Sequence, residues 1–450
     1  MPNQESKKSY EFFAPKVFIQ TFGCQMNIYD SQVILERAMR IGYQEVETET
    51  KADLIILNTC SIRAHAEEKV FSKLGWLKKL KQEKKDLIIG ICGCMAQHYR
   101  KTLFEKYNFL DFIVNSSNID KLPTIIKQVK EGETNITCLG NFKNSLEKIN
   151  PYRKDKIFAY LPIIFGCDNF CSYCVVPFLR GKSRSRNLEE IVKEAEDLSQ
   201  QGCQEITLVG QNVNSYGRDL NNKTISFSAL LRKLNSIEGI KRVRFITSHP
   251  KDVSDDLLDC LVSLPKICKH IHLPVQSGSD KILDLMKRGY TAEKYLHLVD
   301  KLRKKVENIS ITTDFMVGFP GETKKDFEDT LNLARKVKFD KAFAFKFSPR
   351  KNTPAYKMKD QVEEEVSKRL QMLIAFQNEI SKKKNEEYLG RIQEVLVEGE
   401  SSKYKDRLCG KTNTFKMVLF NGEKSLIGRL IKVKITNCNM RTLEGRVVDD

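Results

Sequence analysis

Residues 166–174 read Gly-Cys-Asp-Asn-Phe-Cys-Ser-Tyr-Cys and place Cys167, Cys171 and Cys174 in a C-x3-C-x2-C array. Three thiolates are one ligand short of a closed four-ligand zinc site, and no cysteine or histidine lies between Cys174 and Cys203 to complete one. A four-iron cluster held by three thiolates keeps one iron open to a chelating ligand. The spacing therefore favours an open iron–sulfur site, with a structural zinc site as the alternative.

Length and composition limit the architecture and the compartment. A chain of 450 residues exceeds one hydrophobic core, so we expect several domains. No apolar run approaches the roughly 18 to 20 residues that span a bilayer, and residues 1–16 lack the apolar core of a secretion signal. We expect a cytoplasmic protein, in which 13 cysteines indicate metal binding or catalysis more than disulfides.

The charge favours a polyanionic partner. The formal net charge is +18, and Lys and Arg gain affinity for nucleic acid by releasing counterions from its phosphates. Single lysine runs, such as residues 78–81 and 382–384, are more often solvated helix faces than binding sites. Charge therefore supports a nucleic-acid partner without locating the contact.

The first 130 residues alternate between strand and helix patterns, which is typical of a parallel α/β sheet. Strands are predicted at residues 17–21, 54–58 and 87–91, and one helix at residues 31–40.

Each of these strands leads into a cysteine. Cys24 follows the first strand, Cys60 the second, and both Cys92 and Cys94 the third. Ligands of open α/β sheets gather at the carboxyl ends of the strands, so these thiols are predicted to converge on a second three-cysteine site. Strand alternation turns Cys92 and Cys94 to the same side, so periodicity leaves both as candidates.

Six further strands are predicted from residue 157 onward, with helices between them such as residues 188–201 and 324–337. Six β-α units make an incomplete version of the eight-unit barrel, whose active face lies at the carboxyl ends of the strands. The three-cysteine loop follows the first of these strands, and Gly210 and Gln211 lie at the same predicted edge. His249 precedes a proline, which favours an extended turn, and we assign it no catalytic role.

The last 60 residues change to short alternating segments, which predict a small β-barrel. Strands are expected at residues 392–397, 414–420, 426–435 and 442–448. From residue 386 to 450 there are 12 Lys and Arg against 10 Asp and Glu, a net +2. This barrel therefore holds little of the positive charge, and RNA contact must be shared with other domains.

Eight further motifs resemble the methylthiotransferase family of radical-SAM enzymes. They are GCQMN (23–27), NTCSIR (58–63), GCMAQ (93–97), SRSR (183–186), VGQNVNSYG (209–217), TSHP (247–250), HLPVQSGS (272–279) and VGFPGET (317–323). The branch that modifies a ribosomal protein usually reads GCPKN at the first cysteine. The residues Gln25, Met26 and Asn27 resemble instead the MiaB branch, which modifies isopentenyladenosine in tRNA.

The resemblance implies two [4Fe-4S] clusters and S-adenosylmethionine (SAM) as cofactors. Cys94, not Cys92, is then the third ligand of the N-terminal cluster. The implied ligand sets are Cys24, Cys60 and Cys94 for an auxiliary cluster, and Cys167, Cys171 and Cys174 for the radical-SAM cluster; Tyr173, Gly210 and Gln211 are candidate SAM contacts.

The family also implies a domain plan and partners. Residues 15–131 are expected to form the methylthiotransferase domain, residues 153–383 the radical-SAM core, and residues 386–450 a TRAM RNA-binding barrel. Residues 410–416, Gly-Lys-Thr-Asn-Thr-Phe-Lys, depart from the basic residue and paired asparagines that relatives often show there. The implied partners are a tRNA anticodon stem-loop and an electron donor of the flavodoxin or ferredoxin kind, with no membrane and an unidentified sulfur donor.

The implied reaction is methylthiolation of carbon 2 of N6-isopentenyladenosine at position 37 of tRNA, with two SAM, a sulfur source and electrons. Three alternatives remain: another tRNA base as substrate, a ribosomal protein as substrate, and an RNA-binding iron–sulfur protein without activity. The last alternative leaves two open-iron sites and the motifs of the SAM domain unexplained.

Overall fold

The computed structural model describes residues 14–61, 64–140, 151–222, 224–359, 362–404 and 406–448. The chain divides into two compact units, residues 1–152 and 153–450. Within the described ranges, no helix is long and apolar enough to cross a membrane.

The first unit is a six-stranded parallel sheet in the order β2-β1-β3-β4-β5-β6. Its central strands β3 and β4 are buried along their whole length, as expected for a parallel sheet covered on both faces. The strands are β1 Lys16–Thr21, β2 Gln44–Glu45, β3 Leu54–Thr59, β4 Ile88–Gly93, β5 Phe112–Val114 and β6 Ile136–Cys138. The helices are α1 Gln25–Arg40, α2 Ala64–Glu83, α3 Cys94–Tyr99, α4 Thr102–Lys106 and α5 Leu122–Lys130.

The predicted parallel sheet is confirmed, but the first helix begins earlier than expected. Periodicity placed its start at residue 31, whereas α1 begins at Gln25, directly after Cys24. The apolar pattern is weak in this first turn, and local hydrogen bonds form the start instead. The backbone amide of Cys24 donates to Oδ1 of Asn27 at 3.3 Å. This bond caps the helix beside the first cysteine of the predicted site.

The second unit begins with six parallel strands that carry the predicted partial barrel. They form two sheets, β7-β10-β11 and β12-β13-β14, and Val243 of β11 bridges Ile267 just before β12. No ladder joins β7 to β14 in the described part of the chain, so the barrel is open on one side. The six strands are β7 Phe158–Pro162, β10 Glu205–Val209, β11 Arg242–Phe245, β12 His270–His272, β13 Ser310–Val317 and β14 Lys341–Lys346. Two short strands, β8 Ile164–Phe165 and β9 Arg184–Ser185, form a separate antiparallel pair.

Helices follow these strands and cover the outside of the open barrel. They bury one apolar core with the strands, which includes Leu208, Val243 and Phe315. The helices are α6 Val176–Arg180, α7 Leu188–Gln200, α8 Phe227–Asn235, α9 Asp255–Ser263, α10 Asp280–Leu285, α11 Ala292–Lys305, α12 Lys324–Val337 and α13 Glu363–Glu386.

The C-terminal segment is a closed five-stranded barrel in the order β15-β16-β17-β19-β18. The sequence predicted a small barrel but only four strands, because the polar, glycine-containing strand at residues 408–412 has no clear alternation. The segment predicted at residues 414–420 starts as a turn and becomes a strand only at Met417. The strands are β15 Ile392–Glu400, β16 Leu408–Thr412, β17 Met417–Asn421, β18 Leu430–Cys438 and β19 Thr442–Val447.

The turn between β16 and β17 packs against the amino ends of the open-barrel strands. Arg244 of β11 is buried and donates to the carbonyl oxygens of Thr412 at 2.7 Å and Asn413 at 3.2 Å. The ring of Phe415 stacks on His270 with the ring centroids 4.7 Å apart. Residues 410–416, where the sequence departs from the family pattern, therefore serve at an internal interface within this unit.

Candidate functional site

The three N-terminal cysteines lie at one edge of the first sheet. Cys24 lies three residues beyond β1, Cys60 directly follows β3, and Cys94 directly follows β4. These strands are neighbours and parallel, so their carboxyl ends meet. Two glycines allow close approach: a Cβ at Gly23 would lie 2.8 Å from the Cβ of Cys60, and one at Gly93 2.3 Å from the carbonyl oxygen of Thr59. The sheet thus gathers the three loops as the sequence predicted.

Two buried asparagines join these loops. The Asn27 side-chain nitrogen donates to the carbonyl oxygen of Thr59 at 3.1 Å, and that of Asn58 donates to the carbonyl oxygen of Asn27 at 2.7 Å. Both side chains are fully buried, where an unpaired amide would be costly. Asn27 and Asn58 therefore hold the loops of Cys24 and Cys60 together. The motifs contained both residues, but a sequence pattern does not reveal a contact across 31 residues.

Cys92 and Cys94 lie in different environments. Cys92 is within β4, paired in register with Asn58 and Val114, and fully buried. Burial, and secondarily the nearby Asp30, raises the pKa of its thiol far above the ordinary value. The strand ends at Gly93, whose φ is 94°, and Cys94 is the first residue of α3. The expectation that strand alternation turns both thiols to one side is wrong, because the strand does not reach Cys94.

The second cysteine set lies in the loop after β8, at the carboxyl edge of the open barrel. Cys167 and Cys171 are buried, and Cys174 is partly buried. Burial raises the pKa of Cys167, and the neighbouring Cys171 raises it further. Burial raises the pKa of Cys174 to about 12, again with contributions from Cys171 and Cys167. The charge of Cys171 thus acts on both Cys167 and Cys174.

A tight turn fixes the start of this loop. Gly166 has φ of 75°, and a Cβ there would lie 2.1 Å from the carbonyl oxygen of Lys182. A side chain at this position would collide with backbone, so glycine is required. The backbone amide of Cys167 donates to the carbonyl oxygen of Gly181 at 3.2 Å. The first cysteine is thus anchored to the chain that follows the loop.

Each cysteine set supplies three thiolates, which is the ligand number of an open four-iron cluster, whereas a closed zinc site takes four ligands. Among the described residues, no group of three or more His, Cys, Asp and Glu side chains is gathered as the ligands of one metal ion would be. The two sets of three cysteines at strand ends therefore fit open clusters by ligand type and number.

Curated relatives match almost the whole chain. A protein of Carboxydothermus hydrogenoformans named tRNA-2-methylthio-N(6)-dimethylallyladenosine synthase is 49% identical over 435 residues, which is 96% of this chain and 99% of the relative. A protein of the same name from Clostridium botulinum strain Hall is 46% identical over 435 residues, 96% of each chain. The chain belongs to this family.

Three family descriptions match successive parts of this methylthiotransferase. They are Uncharacterized protein family UPF0004 at residues 16–115, Radical SAM superfamily at residues 161–334, and TRAM domain at residues 386–448. The recognition made from the motifs is thereby confirmed.

Solved structures agree with the fold of the methylthiotransferase. The radical SAM methyltransferase TsrM from Kitasatospora setae, solved with cobalamin and a [4Fe-4S] cluster, has a TM-score of 0.56 at 14% identity, covering 76% of this chain and 77% of its own. OxsB, a cobalamin-dependent S-adenosylmethionine radical enzyme solved with SAM, has a TM-score of 0.53 at 15% identity. The match covers 80% of this chain and 56% of the OxsB chain. At this identity the likeness concerns the fold alone.

The predicted SAM contacts of the methylthiotransferase all lie beside the cysteine loop. The side-chain oxygen of Gln211 accepts from the backbone amide of Gly166 at 2.6 Å, and a Cβ at Gly210 would lie 2.5 Å from Ile164. The Tyr173 hydroxyl accepts from Arg288 at 3.4 Å, and its ring packs edge-on against Phe319. Their positions fit a structural role as well, so SAM binding by these residues stays a prediction.

A buried polar network beside this loop was not predicted from the sequence. Nη1 of Arg288 lies 3.4 Å from Sγ of Cys171, and its Nε donates to the hydroxyl of Tyr290 at 3.0 Å. The ring of His249 meets Tyr290 edge-on, and burial, followed by the charge of Arg288, lowers the pKa of His249 to about 2. A lone arginine among 76 Lys and Arg carries no pattern that would have revealed this network.

Proposed function

We propose that this chain methylthiolates carbon 2 of N6-isopentenyladenosine at position 37 of tRNA, giving 2-methylthio-N6-isopentenyladenosine from two SAM, a sulfur source and electrons. One observation carries the proposal. The chain is 49% identical, over 96% of its length, to a synthase that is named for this product, and it carries two sets of three cysteines. Each set lies at the carboxyl ends of strands, and the two sets lie in separate units of the chain.

The cysteines are assigned by set. Cys24, Cys60 and Cys94 would hold the auxiliary [4Fe-4S] cluster at the edge of the first sheet. Cys167, Cys171 and Cys174 would hold the radical-SAM cluster at the edge of the open barrel. When bound, these clusters supply an electron for reductive cleavage of SAM and a site for the transferable sulfur.

The protein's own residues place and shield these thiols. Asn27 and Asn58 bond the loops of the first set, and Gln211 with Gly166 fixes the second. No side chain is assigned as acid or base, because the C–H bond at carbon 2 of adenine is too inert for proton transfer. His249 agrees with this, since its pKa of about 2 keeps it neutral at physiological pH.

The tRNA has to present an unstacked adenine from its anticodon loop. Unstacking a base in a single-stranded loop costs a few kcal/mol or less. The net charge of +18 supplies phosphate contacts, and the C-terminal barrel, with net +2, shares them with the rest of the chain. We place the reaction in the cytoplasm, with a flavodoxin or ferredoxin-like protein as the electron donor.

The proposed domain limits follow from the same assignment. Residues 15–131 form the methylthiotransferase domain, residues 153–383 the radical-SAM core, and residues 386–450 the RNA-binding TRAM barrel. The family matches at residues 16–115, 161–334 and 386–448 support these limits.

Mass spectrometry of tRNA nucleosides tests the function. A strain lacking its own synthase accumulates the isopentenyl nucleoside, and expression of this chain should restore the 2-methylthio form. A variant with Cys167, Cys171 and Cys174 changed to alanine is the control and should not restore it. Ribosomal proteins from the same strains are examined in parallel. A methylthio group on a ribosomal protein, with tRNA unchanged, would replace the tRNA assignment.

A further inference from the structure

Arg288 is a buried cation whose side chain ends at a cluster ligand. It lies between α10 and α11 and is 4% exposed. Its Nη1 lies 3.4 Å from Sγ of Cys171, and the same nitrogen lies 3.4 Å from the hydroxyl of Tyr173. Its Nη2 donates to the carbonyl oxygen of Pro274. All of its guanidinium nitrogens are therefore engaged in the protein interior.

Among the residues that the structure describes, this cation has no carboxylate partner. Its hydrogen-bond partners in the described chain are two tyrosine hydroxyls, one carbonyl oxygen and one cysteine sulfur. A charge removed from water needs an opposite charge nearby, or burial is strongly unfavourable. Among these partners, Cys171 is the group that becomes an anion when it binds metal, because a coordinating thiol is deprotonated. The positive charge of Arg288 therefore has an anionic partner when Cys167, Cys171 and Cys174 hold a cluster.

Two tyrosines hold the guanidinium in place. The hydroxyl of Tyr290 accepts from Nε of Arg288 and donates to the carbonyl oxygen of Val275 at 3.1 Å. Tyr173 precedes the ligand Cys174 and packs on the fully buried Phe319. The planar fork of an arginine can keep several such contacts at once, which the single ammonium of a lysine cannot.

We propose that Arg288 sets the reduction potential of the barrel cluster, by donating a hydrogen bond and placing a positive charge at the Cys171 thiolate. This rests on the proposed function, in which Cys167, Cys171 and Cys174 hold a four-iron cluster. The potential of such a cluster depends on its net charge and on hydrogen bonds to its sulfurs. One electron from the reductant makes the cluster more negative, and a cation beside a ligand stabilises that reduced form. Arg288 is thus a positioning residue that makes reduction easier.

A redox titration followed by electron paramagnetic resonance tests this. The parent protein is the full chain with Cys24→Ala, Cys60→Ala and Cys94→Ala, so that only the barrel cluster is observed. The titration is carried out without SAM or tRNA. At the parent's midpoint, Arg288→Met should lower the ratio of reduced to oxidised cluster about tenfold, a midpoint about 59 mV more negative. The matched control is Arg242→Met, also 4% exposed, whose contacts are Lys411 and Glu394 at the other end of the strands. Its midpoint should equal the parent's.

Iron content is measured first, because it distinguishes a failure of the proposed function from a failure of the role proposed for Arg288. A parent background without about four irons would overturn the proposed function itself, and with it the basis for Arg288. A loaded Arg288→Met protein with the parent's midpoint would overturn the role of Arg288 and leave the function standing. If Arg288→Met loads too little iron to titrate, Arg288→Gln is titrated instead, and an unchanged midpoint there has the same meaning.

Discussion

The side-chain oxygen of Gln211 accepts a hydrogen bond from the backbone amide of Gly166 at 2.6 Å. Gln211 follows β10, and Gly166 precedes the first cysteine of the barrel set. This bond joins the end of β10 to the start of the cysteine loop, 45 residues away in sequence. The position of Cys167 is thereby tied to the frame of the barrel.

Changing Gln211 should weaken cluster retention at the barrel. Gln211→Ala leaves the buried amide of Gly166 without its partner, which costs about 1–3 kcal/mol. Gln211→Glu keeps an acceptor and is the matched control. We expect faster loss of iron to a chelator from the alanine variant than from the glutamate variant, measured in the background that lacks Cys24, Cys60 and Cys94. Equal rates in the two variants would contradict the anchoring role.

The cofactor count follows from the two cysteine sets. Anaerobically reconstituted protein should bind about eight irons per chain, as two four-iron clusters. Replacing Cys167, Cys171 and Cys174 with alanine should leave about four irons and abolish reductive cleavage of SAM. Iron assay and detection of 5′-deoxyadenosine by chromatography measure the two quantities. A triple variant that still cleaves SAM would remove the assignment of the radical site.

Replacing Cys92 and replacing Cys94 should have different effects on the auxiliary cluster. Cys94→Ala should remove the auxiliary cluster and about four irons. Cys92→Ala should keep the cluster and lower the free energy of unfolding by about 1 kcal/mol, because a fully buried side chain becomes smaller. An iron assay of both variants measures cluster retention, and urea denaturation measures the free energy of unfolding. Loss of the cluster in Cys92→Ala with retention in Cys94→Ala would reverse the ligand assignment.

The two cysteine sets should also be separable in function, because they lie in different units of the chain. With Cys24, Cys60 and Cys94 changed to alanine, the protein should still form 5′-deoxyadenosine from SAM and dithionite. It should form no 2-methylthio product on tRNA that bears the isopentenyl group. Binding of that tRNA should persist and weaken as salt rises, because phosphate contacts depend on neither cluster. Methylthiolation near the rate of the unaltered protein would make these cysteines structural.

Stability should fall in mild acid partly because of His249. Its pKa is lowered to about 2 by burial and then by Arg288, Lys251 and Arg218. Below about pH 6.5 the unfolded chain binds a proton that the folded chain does not, so the free energy of unfolding decreases as pH falls. From about pH 6.5 to about pH 5, His249→Gln should lose about 2 kcal/mol less than the unaltered protein. Urea denaturation across this range measures the difference, and parallel curves would contradict it.

Sequence periodicity predicted the strands that pack against the core, because burial imposes regular patterns there. The strands at residues 54–58 and 206–210 were placed within one or two residues of β3 and β10. The short β2 and β6 escaped prediction, since two or three residues cannot display alternation. The start of α1 was missed because asparagine hydrogen bonds, rather than an apolar stripe, define its first turn.

In the candidate site, too, features that are local in sequence were predicted and long-range contacts were not. Cysteine spacing and strand order placed both sets at strand ends, because these features are local in sequence. The contact between Arg288 and Cys171 spans 117 residues, and that between Asn27 and Thr59 spans 32. Such contacts depend on the packing of distant loops, which a single sequence does not encode in any readable pattern.

The interface that buries Arg244 also sets an order of events on the ribosome. Arg244 and its carbonyl partner at Thr412 are 168 residues apart. At 5–20 residues per second, the partner is synthesised roughly 8 to 34 s after the arginine. Throughout that interval the amino ends of β11 and β12 are left without the turn that covers them. Arg244 has its carboxylate partner, Glu205, from the start of that interval, whereas its contacts with the turn at residues 412–415 form only after this turn has left the exit tunnel.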